Sequence, residues 1–414
     1  MTTSKTKEFK QTEIGEIPTG WQPRALGELC SLKKEQIDPS DAGNARYVGL
    51  EHLDPGNSRI RRWGTERGLR SAKNKFASGD ILYGKLRPYL DKSAVASWPG
   101  ICSTDILVLS ALKDECVSDY LGFLLHTSAF IAHAKATTKG VNHPRTSWED
   151  LKRFKSAVPL KPEQERIASA LSKVQQVAAN QERIVSDQRA LKAATIAKLL
   201  REGLHGEPLK NTEIGEMPRS WQIKNLTASC EKPQYGYTES SSEKPIGPKF
   251  LRITDLTENG VDWGTVPYCK CSENDVIKHQ LKAGDILVAR IGATTGKNHL
   301  IVDCPKAVFA SYLIRLRAKP GLVPEFLSNF MDSDIYWKQV RATKGQNLKG
   351  GMSGAVLSQI LMPFPGEPEQ KEISNAITVI DKNIRCAVEK HLHAKLLFSS
   401  ALNQLMTGKM RILK

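Results

Sequence analysis

The chain is written twice, and that duplication limits its fold more than any other feature. The run TEIGEIPTGWQ at 12–22 returns as TEIGEMPRSWQ at 212–222, and GDIL at 79–82 returns at 284–287. Thr138-Lys139-Gly140 returns as Thr343-Lys344-Gly345, and Pro162-Glu163-Gln164 as Pro368-Glu369-Gln370. The offsets of 200, 205, 205 and 206 keep their order with only small insertions, which identifies a tandem duplication. Each half holds a globular part of roughly 150 residues and then one more element.

That element is a long helix. After Pro162 there is no proline or glycine until Gly203. Pro162 suits the first helical position, Glu163 and Glu165 put negative charge in the first turn, Lys198 and Arg201 put positive charge near the end, and Gly203 is a natural stop. At 1.5 Å per residue such a helix is roughly 60 Å long. Ile167, Leu171, Val174 and Ala178 form an apolar 4-3-4 stripe, continued by Ile184, Leu191 and Leu199. The second copy carries Ile373, Ile377, Ile380, Ile384, Ala387, His391, Ala394, Phe398, Leu402 and Leu405. Two seams of matched length most simply bury each other, and a two-fold relation between the halves makes them antiparallel. Gln181, Gln188 and His391 then stand at polar seam positions that fix register.

The expected class is α+β: two pseudo-two-fold-related mixed α/β domains, at 1–160 and 205–366, separated by two long antiparallel helices, at 161–204 and 367–414, paired as an intramolecular coiled coil. Strand-like runs fall at 81–83, 106–109, 250–253, 286–288, 300–302 and 312–316, with a helix expected at 118–135 and another at 323–341. The arm at 5–22 has no helix before it, whereas its copy at 210–222 follows the first long helix directly. The arm is therefore expected where the second helix ends.

A net charge of +16 and a pI near 9.4 point to a polyanionic partner, nucleic acid before an anionic membrane surface. No run approaches a membrane span and the first residues hold no signal-peptide core, so the expected location is the cytoplasm. The eight cysteines are scattered; Cys269 and Cys271 alone are close, without the histidines or second pair that zinc needs, so no metal is expected. Gly292 to Lys297 resembles a phosphate loop, but it has three residues between its glycines where four belong, and Asn298 stands where the magnesium-binding hydroxyl belongs. No dinucleotide-binding glycine run, nucleophile elbow or zinc-protease motif is present, and no catalytic residue is assigned.

Nucleic-acid signals are better. After each GDIL run comes a basic loop, with Lys85, Arg87 and Lys92 in the first copy and Arg290, Thr294, Lys297 and Asn298 in the second. At the offset of 205, Lys85 meets Arg290 and Lys92 meets Lys297, so cations persist while their neighbours change. Cations at fixed places suit phosphate contacts; variable residues suit base reading. A second pair of loops joins cations to amides able to read adenine: Lys139, Asn142, His143 and Arg145, then Lys344, Gln346, Asn347 and Lys349. The cluster Arg59, Arg61, Arg62, Arg67, Arg70, Lys73 and Lys75 adds charge to the first domain.

With these residues in view, the chain resembles the specificity subunit of type I restriction–modification enzymes over essentially its whole length. The resemblance rests on the IGE-x-P-x-x-W opening, the GDIL strand, and the Pro-Glu-Gln-x-x-Ile entry to a long helix (Pro162 to Ile167, Pro368 to Ile373), each present twice. It implies two target-recognition domains, each reading one half of a split, asymmetric site in double-stranded DNA. It implies that the helices set the spacing and dock two methylation subunits, followed by two restriction and motor subunits. S-adenosylmethionine, ATP and magnesium would belong to those partners, with none on this chain. The second half lacks the Arg-Pro that follows GDIL in the first. Two other readings are a DNA-binding coiled-coil scaffold outside restriction and a single-chain DNA-processing enzyme.

Overall fold

The computed structural model describes residues 9–257, 260–346 and 351–412. The chain forms two compact units: Met1–Glu182 with Lys390–Lys414, and Arg183–Glu389. Each unit thus takes a segment from both long helices, which run over Lys161–Glu202 and Glu367–Met406.

In the first unit a four-stranded antiparallel sheet has the order Ser93–Val95, Ile81–Gly84, Ile106–Ala111, Cys30–Lys33. Successive side chains on a strand point to opposite faces. Ile81, Tyr83, Leu107 and Leu109 face a core built with the helices Ser118–Leu124 and Ser128–Ala136 and with both long helices. Leu82, Ile106 and Val108 face a smaller core shared with Val48, Phe76 and Cys102 of a second, five-stranded sheet. Both faces are covered, which is why these strands read as continuous apolar runs.

The second unit repeats the plan. Its sheet of Asn298–Leu300, Asp285–Ala289, Leu313–Arg317 and Gln234–Tyr235 has a helix-covered face carrying Ile286, Val288, Ile314 and Leu316. Its other face, with Leu287 and Leu313, packs against Leu251, Ala307 and Phe309 of a second four-stranded sheet. Each unit opens with a hairpin, Phe9–Thr12 with Gly15–Pro18 in one and Leu209–Thr212 with Gly215–Pro218 in the other.

The expected single helices at 118–135 and 323–341 are each two helices. The first breaks before Ser128–Ala136, where the Thr127 hydroxyl accepts from Phe130 N. The second divides into Pro324–Met331 and Asp334–Gln346, where the Ser333 hydroxyl accepts from Tyr336 N. A hydroxyl side chain that takes a backbone N–H caps a new helix where apolar periodicity alone reads straight through. The expected strand at 250–253 stops at Leu251, because the Asp255 carboxylate accepts from Arg252 N and turns the chain.

Segments of the two long helices pack antiparallel within each unit. In the first, Ile167 and Leu171 meet Phe398, Leu402 and Leu405, and His391 Nδ1 lies 3.1 Å from the Ala178 carbonyl oxygen. In the second, Ile196, Leu199 and Leu200 meet Ile373 and Ile377. Val174, Ile380 and Ile384 are half-buried. Ile184 and Leu191 leave the expected seam: they are 41% and 50% exposed, while Val185 and Ile196 are buried. Keeping the four-three alternation from Ala178 leads through Val185 and Lys192, a polar position that the apolar reading passed over. Lys192 belongs in the seam because Asp381 lies 2.9 Å and Asp332 3.4 Å from its Nζ.

Candidate nucleic-acid interface

The GDIL repeat builds the base of each loop. Asp80 is buried, accepting from Ala77 N at 2.7 Å and from Lys33 Nζ at 2.8 Å. Asp285 accepts from Lys282 N at 2.9 Å and bidentately from Arg317 at 2.7 and 2.9 Å. The neutralising cation comes from different strands in the two domains, Cys30–Lys33 and Leu313–Arg317, so the sequence records only the carboxylate.

The basic loops that follow, at 85–92 and 290–297, are closed alike: Gly84 N donates to Lys92 O at 2.8 Å, and Ala289 N to Lys297 O at 2.9 Å. The second loop of the first domain comes to the same place, as does Met352 in the second domain. Thr146 N donates to Lys85 O at 3.1 Å, Arg87 N to Pro144 O at 2.8 Å, and Met352 N to Arg290 O at 2.8 Å. In the first domain, loops some 55 residues apart in sequence therefore form one surface; in the second, Met352 reaches the start of loop 290–297.

Loop 85–92 is held under strain. Arg87 and Asp91 both adopt a left-handed φ of 51°, uncommon away from glycine. Between them the turn Pro88–Leu90 leaves Tyr89 and Leu90 exposed. The Asp91 carboxylate lies 2.7 Å from His126 Nδ1, and His126 Nε2 lies 3.2 Å from Ser93 Oγ. That is the connectivity of a hydrolytic triad, but Ser93 is 1% and His126 4% exposed, so no substrate reaches the hydroxyl. The three side chains are a strut that fixes the loop.

The expected site residues divide. Arg87, Lys139, Asn142, His143, Thr294 and Lys297 are exposed, and Lys85 and Arg290 are half-buried at the loop starts. Lys92 is not available, because its Nζ donates to Leu50 O at 2.6 Å. Arg145 is bound bidentately to Asp105 at 2.9 and 3.2 Å, and the Asp105 carboxyl is held below its usual range by that bond. Asn298 is taken up within the fold, donating to Asp332 Oδ1 and accepting from Ser328 Oγ, both at 2.8 Å. A polar side chain beside a loop is legible in sequence; an acid that claims it from a distant element is not.

Lys344 and Gln346 fall within the helix Asp334–Gln346, which corrects the loop expected there. Asn347 and Lys349 lie outside the described residues, as do the side chains of Lys344 and Gln346. The Arg59 to Lys75 cluster is largely neutralised, with Arg59 on Asp119, Arg61 and Arg62 on Asp54, and Lys75 on Glu35.

Sequence reading missed two tyrosines. Tyr235 and Tyr312 are 40% and 54% exposed beside the start of loop 290–297, and the Arg290 guanidinium lies 4.8 Å over the Tyr235 ring. Two large aromatic residues left open beside a cation are unusual for a strand end; Tyr312 falls inside the strand-like run 312–316, and no motif marks Tyr235. Gly351 completes the corner: a side chain there would collide with the Arg290 carbonyl oxygen.

The sequence pattern that defines the type I restriction modification DNA specificity domain matches residues 18–185. The specificity subunit of the type I restriction enzyme MjaVIII from Methanocaldococcus jannaschii is 22% identical, over 99% of this chain and 97% of that one. Among solved structures, the S subunit of a type I restriction–modification system from M. genitalium superimposes with a TM-score of 0.59 at 15% identity, over 97% of this chain and 99% of that one. A chain from a structure of type I restriction–modification complex assembly gives 0.58 at 18% identity, over 95% and 99%. At these identities the likeness shows a shared fold, mixed α/β domains with two long helices.

Proposed function

We propose that the chain is a specificity subunit of a type I restriction–modification system, and that its parts divide the work as follows. The domains at 1–160 and 205–366 each read one half of a split, asymmetric site in double-stranded DNA, using the paired loops described above. The helices at 161–204 and 367–414 set the spacing between the half-sites and dock two methylation subunits, with two restriction and motor subunits joining the full complex. Roughly 60 Å of helix bounds the separation at under ~18 base pairs at 3.4 Å per step. S-adenosylmethionine, ATP and magnesium act on those partners, beside the host DNA in the cytoplasm. This chain supplies the address.

One observation carries the reading. Eight of the residues the two halves share bind the fold: Trp21 and Trp221, Asp80 and Asp285, Glu163 and Glu369, Gln164 and Gln370 all end on scaffold partners. Where the halves differ, exposed cations, amides and aromatic rings stand on paired loops. Like frames with unlike faces suit one task performed on two different sequences.

The test replaces residues 23–160 with those of a relative, co-expresses the chimera with the methylation subunit, and sequences modified host DNA. One half of the modified site should change, with the other half and the spacer kept. A change in both halves would sink the modular reading, and turnover by the purified chain alone would move the chemistry onto it.

A further inference from the structure

We infer that Arg290 reads a guanine in the second half-site, through a guanidinium held in plane by Tyr235. The inference rests on the functional reading above and goes beyond it, because equal spacing pairs Arg290 with Lys85 as a mere phosphate cation. The two positions differ in kind. The Arg290 guanidinium lies 4.8 Å over the Tyr235 ring, and the Tyr235 hydroxyl accepts from Gly354 N at 3.1 Å, so the platform is itself anchored. The Arg290 backbone is pinned on both sides: its N–H donates to Tyr312 O at 2.9 Å, and its carbonyl accepts from Met352 N at 2.8 Å.

No acid claims the side chain. Among the described residues Arg290 has no side-chain hydrogen bond or ion pair, whereas three other arginines of the domain are engaged. Arg252 pairs with Asp255, Arg317 with Asp285, and Arg315 donates to Gln280 O. Arg290 is thus a planar fork with unused donors, fixed at main chain and ring, between two exposed tyrosines at a loop start. A phosphate asks only for positive charge, which Lys85 provides with no ring contact among the described residues. A fixed guanidinium plane suits the two acceptors, N7 and O6, that guanine presents side by side in the major groove. Stacking on a ring also lowers the ordering cost of such a contact.

The experiment co-expresses the methylation subunit with the wild-type chain, Arg290→Lys, Arg290→Ala and Tyr235→Ala, maps modified sites genome-wide, and measures binding against salt. The wild-type site should contain guanine in its second half. Both arginine variants should relax that one position by roughly 10- to 100-fold, with the first half-site intact. Tyr235→Ala should relax it less. Arg290→Lys keeps the charge and serves as the variant most certain to fold, checked by its melting curve. An unchanged motif overturns the inference, as does a wild-type second half-site without guanine. So does a uniform loss across sequences with the salt slope reduced by about one, which marks a phosphate contact. A wild-type complex that modifies no split site would overturn the functional reading itself, and this inference with it.

Discussion

The indole of Trp21 donates to the carboxylate of Glu163 at 3.1 Å, and Trp221 does the same to Glu369 at 2.8 Å. The bond joins each domain's opening strand pair to the first turn of the long helix that follows it. In the first unit Glu163 also receives a bidentate pair from Arg411, at 3.0 and 2.8 Å. In the second, the remaining Glu369 oxygen accepts, among the described residues, only Leu204 N. Glu163→Gln should therefore cost about 2–3 kcal/mol in urea unfolding and Glu369→Gln about 1 kcal/mol, since only the first strands a cation. Equal costs would show that Arg411 adds nothing.

Charge at the loops should separate from structure. Lys85→Ala and Lys297→Ala should each weaken DNA binding across all sequences and reduce the slope of log affinity against log salt by about one. Asn298→Ala should leave that slope alone and cost about 1–2 kcal/mol of stability, because Asp332 and Ser328 lose their shared partner. Binding titrations at four or five salt concentrations, with unfolding curves beside them, decide the matter.

Acid should loosen the second domain through two histidines. Burial holds both His279 and His299 below the usual histidine value. Their unfolded value is about 6.5, so the stability they contribute is complete above that pH. It is lost as pH falls toward the depressed folded values, where the unfolded chain binds the extra protons. The melting midpoint should drop as pH falls below about 6.5, and His279→Gln with His299→Gln should flatten that drop in calorimetry. An undiminished slope would assign the effect to other groups.

How far the sequence could be read depended on whether a signal was local. Register-keeping repeats placed the two opening segments, the helix starts and the basic loops after GDIL, because each is a short run with its own propensity or spacing. The second helix's stripe, from Ile373 to Leu405, was legible for the same reason. What failed needed a partner. Lys92, Arg145 and Asn298 look free until Leu50 O, Asp105 and Asp332 arrive from elsewhere. Lys192 looks like surface until two aspartates meet it, and that one position carried Ile184 and Leu191 wrongly into the seam. The stacked Arg290 joins residues from three separate segments, and no spacing rule connects them.

The corrected seam gives a sharp contrast. Ile196→Ala and Ile377→Ala remove buried side chains and should each cost about 2–4 kcal/mol. Ile184→Ala and Leu191→Ala should stay within about 0.5 kcal/mol, since both side chains are already open to solvent. Co-purification adds a second readout: Ile184→Lys and Leu191→Lys should reduce recovery of the methylation subunit while leaving the chain folded. Unfolding by these exposed changes would restore the original seam.

The end of each long helix meets a hairpin in the same way. A side chain at Gly203 would press on Pro218 and Trp221, and one at Gly408 on Pro18 and Trp21. Both glycines have positive φ, of 64° and 69°. In one case the chain runs on from the glycine into the hairpin; in the other the hairpin belongs to the opposite end of the sequence. A circular permutant that joins Ile412 to Phe9 through a short linker and opens the chain at 204–208 should fold, with a melting midpoint within about 5 °C of the parent. Failure to fold would show that the covalent joint does more than hold position.

Each compact unit draws one helix segment from either half of the sequence, and this sets what kinds of genetic change the protein can survive. Exchange of a loop-bearing layer leaves every Trp–Glu and glycine–proline joint intact, so a new specificity can be acquired by recombination in a single step. A premature stop near residue 205 is the opposite case. It strips Phe398 and Leu402 from Ile167 and Leu171, and Ile373 and Ile377 from Ile196, baring half of each seam at once. Such a fragment is no smaller reader of a simpler site. It is an adhesive surface, stable only if another copy lends it the missing helix of the pair.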